Sequence, residues 1–259
     1  MSLFGGAPTS SLANSTPQQI GLISFSNKLV FDSGSTDRTC DIAREYGARV
    51  VQRSFDNYAA QRNAALCETE SEWVLFIDAD VRVNTDAIKR ALNQAITEEV
   101  DLLSLAPRIT CSCSSEWMVQ PIIACLLAIG FPINKTNNPY EETAFAAGPF
   151  MLFRQSAYNS VGGHNKVAGE VVEDLALARL IKTSGYKLQF SLGLDSVRLG
   201  MYSNLKSLWE GWSKNWFIGL DRNVNKALFA SLVVFWIFSL PWIIIPLAFF
   251  LCSLGLFSF

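Results

Sequence analysis

The sequence predicts an α/β fold: a mostly parallel sheet flanked by helices, followed by a C-terminal transmembrane segment. Three observations carry that prediction. Between residues 28 and 106, short β-branched and aromatic runs alternate with helical patterns, the order that builds a parallel sheet. The run Trp73-Val74-Leu75-Phe76-Ile77 stops abruptly on Asp78-Ala79-Asp80, as a strand covered on both faces does where ligands bind such sheets. Residues 227–259 hold no charged side chain and are long enough to cross a bilayer, which takes about 20 residues. The chain thus divides into a leader (1–27), an α/β domain (28–226) and a transmembrane segment (227–259).

The elements follow in order. Residues 1–27 are rich in Ser, Thr, Gly, Pro and Asn without periodicity and read as a disordered or degenerate leader. Lys28 to Phe31 forms a strand ending at Asp32, and Ser33-Gly34-Ser35-Thr36-Asp37 supplies turn and helix-capping residues. A helix from Arg38 to Tyr46 stops at Gly47, Ala48 to Val51 is a second strand, and Asn57 to Leu66 is an Ala-rich helix leading to the strand at Trp73. Asp86 to Ile96 makes an amphipathic helix and Asp101 to Ala106 another strand. Trp117 to Ile133 is almost wholly apolar but too short to span comfortably; a helix lying in the membrane interface and a core helix both stay open. Ala144 to Phe153 is a small-residue strand, followed by Arg154, Tyr158 and a turn at Gly162-Gly163. Glu170 to Thr183 is a helix, closed by Gly185. Tyr202 to Leu220 is an aromatic and cationic approach to the membrane. There Trp209, Trp212 and Trp216 share one helical face, as an interfacial belt or else an acceptor-binding surface. Pro241 and Pro246 leave both a long kinked helix and a tight hairpin open for the tail.

Composition narrows the partners. The chain is 50% hydrophobic and 17% charged with a net charge of −2, and no basic block with interleaved aromatics occurs, so nucleic acid is not indicated. Six cysteines (Cys40, Cys67, Cys111, Cys113, Cys125, Cys252) form no Cys-x-x-Cys pair beside a histidine cluster and read as buried reduced thiols. The N-terminus lacks the pattern of a secretory signal, and Lys206, Lys214, Arg222 and Lys226 precede the tail. Both features place the α/β domain on the cytoplasmic side of a membrane.

Chemistry concentrates in acids. On an extended strand end Asp78 and Asp80 point the same way, so both carboxylates can meet one hard divalent ion that keeps room for substrate phosphates; the bland alternative is an acidic turn. Glu173 and Asp174 stand at a helix start, where acids also simply suit the helix dipole. His164, the only histidine, follows two glycines and reads as a solvated or satisfied loop residue before a metal or phosphate ligand.

Together, Asp32 in Val30-Phe31-Asp32-Ser33-Gly34-Ser35-Thr36-Asp37, the Asp78-Ala79-Asp80 strand end and Glu173-Asp174-Leu175-Ala176-Leu177-Ala178 resemble three signatures of family 2 glycosyltransferases of the GT-A fold, in the right order. Gly148-Pro149-Phe150-Met151-Leu152-Phe153-Arg154, Tyr158, Gly162-Gly163-His164, Met201-Tyr202 and Trp209 to Asn215 are similar to the membrane-bound branch associated with hopanoid and carotenoid glycosylation. The resemblance covers roughly residues 29 to 226. It implies an inverting transfer of a sugar from a nucleotide-sugar donor to a lipid or isoprenoid (polyprenyl-type) acceptor. By the same resemblance Asp32 accepts hydrogen bonds from the base, Asp78 contacts ribose or metal, Asp80 holds Mg²⁺ or Mn²⁺ on the diphosphate, Arg62 lies near the nucleotide, Glu173 positions the donor, and Asp174 deprotonates the acceptor hydroxyl.

Two departures stand out. The family's first β-α unit, an apolar strand ending in a Pro-x-x-Asn-Glu loop, has no match here, since only Ser26, Asn27 and Lys28 separate a possible strand at Gly21 to Phe25 from the next one. The usual Gln-x-x-Arg-Trp element is also absent, with Lys214 the available phosphate contact. The alternative expectation is therefore a catalytically impaired, truncated membrane-associated relative acting as a binding or structural protein. An Asp-x-Asp phosphatase fits poorly, because Arg82 stands where a small β-branched residue is expected.

Overall fold

The strand Leu102–Ala106 (β5) is the centre of the molecule, and its sequence shows why: Leu102, Leu103, Ser104 and Leu105 are all buried, as only a strand covered on both faces tolerates. In this computed structural model, which describes residues 28–32, 35–52, 62–63, 66, 71–220 and 222–253 (backbone alone at 31, 214, 216 and 218), β5 lies in a four-stranded sheet of order β3-β7-β5-β8. Here β3 is Trp73–Ile77, β7 is Phe150–Arg154 and β8 is Leu188–Leu192. Residues alternate sides along the strands. Met151 and Phe153 of β7 join Leu102, Phe76 and Leu188 in one core, closed by Leu177, Ala178 and Ile181 of the helix Glu173–Thr183. Phe150 and Leu152 join Leu103, Leu105 and Val197 in a second core, closed by Ala91 and Ala95 of the helix Ala87–Thr97 (α2).

Other described pairings are smaller. β1 (Leu29–Asp32) and β2 (Arg49–Gln52) form a parallel pair around the helix α1 (Thr39–Glu45). A third sheet joins β4 (Val81–Val83), β9 (Val197–Leu199) and β6 (Arg108–Ile109). The α/β architecture is as expected, and the sheets are mixed: β1–β2, β5–β8 and β6–β9 are parallel, whereas β3–β7, β5–β7 and β4–β9 are antiparallel.

Several expectations change. β3 is an edge strand of its sheet among the described residues, next to the antiparallel β7, and only Phe76 in it is buried. Ala144 to Gly148 is buried but not strand; Pro149 has no N–H to give to a ladder, and the strand begins at Phe150. Among the described residues the cysteines are free thiols, of which only Cys40 is buried and Cys125 is exposed. The leader 1–27, Cys67 and most of the helix expected at Asn57 to Leu66 lie outside the described residues; Arg62, Asn63 and Leu66 are helical.

The apolar stretch forms the helix α3 (Ser114–Gly130), and it is inside out. Trp117, Met118 and Ile129 are 69%, 73% and 75% exposed, while Glu116 and Gln120 are buried. Glu116 accepts hydrogen bonds from the Ser112 N–H (2.6 Å) and the Tyr202 N–H (2.9 Å), while the Ser112 hydroxyl donates to the Tyr202 carbonyl (2.7 Å). A core helix would bury the opposite side. After it come α4 (Ile133–Asn137), α5 (Gln155–Ser160), α6 (Gly163–Lys166) and α7 (Glu173–Thr183).

The chain divides into two compact units, Met1–Gly211 and Trp212–Phe259, with the division inside the helix α8 (Leu205–Gly219). In α8 Trp209 is exposed and Trp212 buried, so those two indoles do not present one common exposed face; the Trp216 and Lys214 side chains lie outside the description. In the second unit Val224–Ser253 is one continuous helix with mean hydropathy 2.4 and none of that apolar window buried, long and apolar enough to cross a membrane. The helical pieces α9 (Val224–Val234) and α10 (Leu240–Ser253) are joined by a π-helical turn at Phe235–Ser239, just before Pro241. A wider turn there accommodates the proline's missing N–H without breaking the helix, so the hairpin is not formed.

Candidate active site

Register brings the acids together. Ile77 of β3 pairs with Phe150 of β7, so the chain leaving β3 at Asp78 and the chain entering β7 through Gly148 and Pro149 meet at one end of the sheet. That end also holds the carboxyl ends of β5 and β8, where ligands bind open α/β sheets.

Asp78 and Asp80 do not continue the strand. Ala79 and Asp80 form a turn closed by the Val81 N–H donating to the Asp78 carbonyl (3.1 Å), and β4 starts at once. The shared direction expected of an extended segment therefore does not apply, yet the two acids still feel each other. Burial raises the Asp80 carboxyl to about 6, and the Asp78 charge adds to the rise. Asp78 is answered by Arg62, whose Nη2 donates to Oδ1 at 2.7 Å with both side chains nearly buried. Two hard oxygen donors in mutual repulsion fit a divalent cation such as Mg²⁺ or Mn²⁺ that draws its other ligands from phosphate and water. Among the described residues no cluster of three or more His, Cys, Asp or Glu side chains is placed to enclose a metal alone.

Glu173 and Asp174 open α7 at this end. Asp174 is 1% exposed; the Gly148 N–H donates to its Oδ2 (2.9 Å) and the Leu175 N–H to its Oδ1 (2.8 Å). Burial raises its carboxyl to about 8, helped by the Glu173 charge and opposed by those two amides. Burial also raises Glu173, where Arg62 pulls down and Asp78 pushes up, so all four groups share one field. A Cβ at Gly148 would stand 3.0 Å from Asp174 Oδ2 and crowd this contact. The loop is fixed from β5: the Ser104 hydroxyl accepts from the Ala147 N–H (2.7 Å) and donates to the Ala147 carbonyl (3.1 Å).

Asp32, at the end of β1, accepts from the Ser35 N–H (3.0 Å) and hydroxyl and from Gln52 Nε2 (3.4 Å). Its two-stranded sheet is not hydrogen-bonded to the others among the described residues. The structure thus gathers Arg62, Asp78, Asp80, Glu173 and Asp174, and shows no contact from Asp32 to that group among the described residues. His164, expected as a solvated or satisfied loop residue, is wholly buried in α6 with partners at both ring nitrogens, and with Tyr158, Gly148 and Ser104 it was not among the predicted site residues. The signal available was Gly162-Gly163-His164, two glycines pressing a lone histidine into a turn.

The chain as a whole is similar to known proteins. The chain is 26% identical over 80% of its length to 4,4'-diaponeurosporenoate glycosyltransferase of Staphylococcus haemolyticus, covering 57% of that protein. It is 28% identical over 81% of its length to the Staphylococcus aureus (strain USA300) protein of the same name, covering 58% of it. It therefore spans less than two thirds of these relatives. In fold it is similar to a mannosyltransferase from Pyrobaculum calidifontis solved with GDP-Man and Mn²⁺, with a TM-score of 0.54 and 16% identity over 90% of this chain and 72% of that one. The likeness confirms the GT-A-like fold. The model of glycosyl transferase family 2 matches residues 26–162, more than half of the chain and the part that contains Asp32, Arg62, Asp78, Asp80 and Gly148, and the chain belongs to that family.

Proposed function

We propose that the chain is an inverting, metal-dependent glycosyltransferase that moves a sugar from a nucleotide-sugar donor to a lipid or polyprenyl-type acceptor at a membrane. The observation that carries this reading is the convergence of Asp78, Asp80, Arg62, Glu173 and Asp174 at one end of the sheet. Asp78 and Asp80 would hold Mg²⁺ or Mn²⁺ beside the donor diphosphate, and Asp32 would receive the base. A bound cation would neutralise the charge that gathers on the departing nucleoside diphosphate. Asp174 takes the proton of the acceptor hydroxyl as its oxygen bonds to the anomeric carbon and the bond to phosphate breaks on the opposite face. Glu173 and Arg62 position the donor. The mannosyltransferase complex with GDP-Man and Mn²⁺ is consistent with this reading.

The membrane enters through two features. Val224–Ser253 anchors the chain, with Lys206, Arg222 and Lys226 on the cytoplasmic side. The outward apolar side of α3 rests in the lipid interface. The relatives carry 4,4'-diaponeurosporenoate in their name, which supports an isoprenoid-type acceptor.

The test supplies full-length protein in lipid nanodiscs with radiolabelled UDP-glucose or GDP-mannose, Mn²⁺ and an isoprenoid lipid extract. Label moves into the organic phase and stops on adding EDTA. Nucleotide binding without any transfer would favour the non-catalytic relative instead. Deleting residues 227–259 leaves part of the protein floating with liposomes through α3; a wholly soluble product would count against that contact.

A further inference from the structure

Arg62 is held on three sides. Its Nη2 donates to Asp78, its guanidinium lies over the Phe76 ring (5.3 Å from Cζ to the centroid), and its Nη1 is 3.4 Å from His164 Nε2. A guanidinium only donates, so Nε2 must offer a lone pair, and a neutral imidazole then carries its proton on Nδ1. Nδ1 is hydrogen-bonded to the Tyr158 hydroxyl, which also accepts from the His164 backbone N–H (2.9 Å). The Tyr158 proton is left to Asn63 Oδ1 at 2.9 Å. Among the described contacts, donation runs from Arg62 through His164 and Tyr158 to Asn63, the residue next to Arg62.

The ring is locked as well as bonded. Phe76 meets it edge-on at 4.9 Å and 71°. Gly163 has φ +52° and lies so close to Tyr158 that a Cβ would run into the phenol ring. Burial, with the Arg62 charge beside it, keeps the imidazole unprotonated.

Resting on the function proposed above, we infer that His164 is a positioning residue for donor binding: its Nε2 lone pair sets the rotation of the Arg62 guanidinium, and Arg62 in turn holds Asp78 facing the nucleotide diphosphate. His164 touches no reacting atom. Its work is orientation, so it acts on donor affinity and not on the transfer step.

The experiment measures binding of UDP, GDP, ADP, CDP and TDP with Mn²⁺ to the full chain in nanodiscs, alongside turnover at saturating donor. His164→Phe keeps a planar ring but removes the acceptor, and the best-bound nucleotide should weaken roughly tenfold, the worth of one such hydrogen bond. Turnover at saturation should stay within about threefold, because a ground-state contact acts on affinity. His164→Gln places Oε1 near the Nε2 position and should restore affinity to within about threefold of the parent. Tyr158→Phe frees the Nδ1 proton and should fall between the two. If His164→Phe does not fold, the ordering of His164→Gln above Tyr158→Phe decides. Equal affinity in these variants, or a loss confined to turnover, overturns the inference while leaving the glycosyltransferase reading intact. Failure of the parent protein to bind any of the five nucleotides overturns both.

Discussion

Two pairs of acids stand at the same end of the sheet, and different partners hold them. In the Asp78-Ala79-Asp80 turn, Asp78 faces the Arg62 guanidinium, and burial with the Asp78 charge pushes Asp80 up to about 6. At the start of α7, Asp174 has two backbone amides against its oxygens, and burial lifts it to about 8. An ion pair keeps an acid charged and ready for a cation. Two neutral amides in a dry place do not match that, and the acid stays near the point of accepting a proton. The first pair suits metal binding and the second suits general-base work.

The largest effect expected is that of Asp174→Asn. Turnover should fall about 10²- to 10⁴-fold with the donor Michaelis constant nearly unchanged. The variant also turns an NH₂ group toward one of the two amides, so a melting curve should show a loss of about 1–3 kcal/mol. Full turnover would end the distinction between the pairs. Asp80→Ala comes next and should remove the Mn²⁺-dependent part of nucleotide binding, read as equal affinity with and without metal; a surviving metal effect would move the cation elsewhere. Gly148→Ala pushes a methyl group toward Asp174 Oδ2, where the gap is 3.0 Å, and should lower turnover more than donor affinity. On the roles proposed above, Glu173→Gln should matter least, because that acid would position the donor and not take the proton.

Acidity sharpens the comparison further. As pH falls, Asp174 gains its proton first, so kcat/KM should drop about tenfold per unit below about 8 while Mn²⁺-dependent nucleotide binding persists until about 6. The stability sign follows from the same shift. Asp174 is raised in the folded state, so its contribution is full below its unfolded value of 3.8 and is lost as pH rises through about 8. Melting temperature should therefore decline from pH 5 to 8 more steeply in the parent than in Asp174→Asn. Turnover and binding that fall together at one pH would erase the difference between the pairs.

Much of this was legible in residue order. β3, β5, α2 and α7 announce themselves through apolar runs and helical periodicity, and the site acids sit where those patterns stop. β4, β6 and β9 escaped because they have three, two and three residues, and Val81 finds its partner at Leu199, far along the chain. Ala144 to Gly148 looked like a strand because its residues are small and buried, but burial alone does not supply ladder partners. Arg62 was placed near the nucleotide through the family likeness, whereas its contact to His164 spans 102 positions and only folding reveals it. Ser104 gave no sign at all. A serine among leucines becomes meaningful only once Ala147 lies across from it.

Glu116 carries a consequence for how the protein settles after synthesis. Left to its composition, α3 would roll about its axis to hide Trp117, Met118 and Ile129 and turn its polar side out. The carboxylate acts as a key in a lock made by Ser112 and the Tyr202 N–H, and it stops the roll. Glu116→Leu would let the helix turn its greasy side inward and, on the membrane reading proposed above, take α3 off the lipid surface.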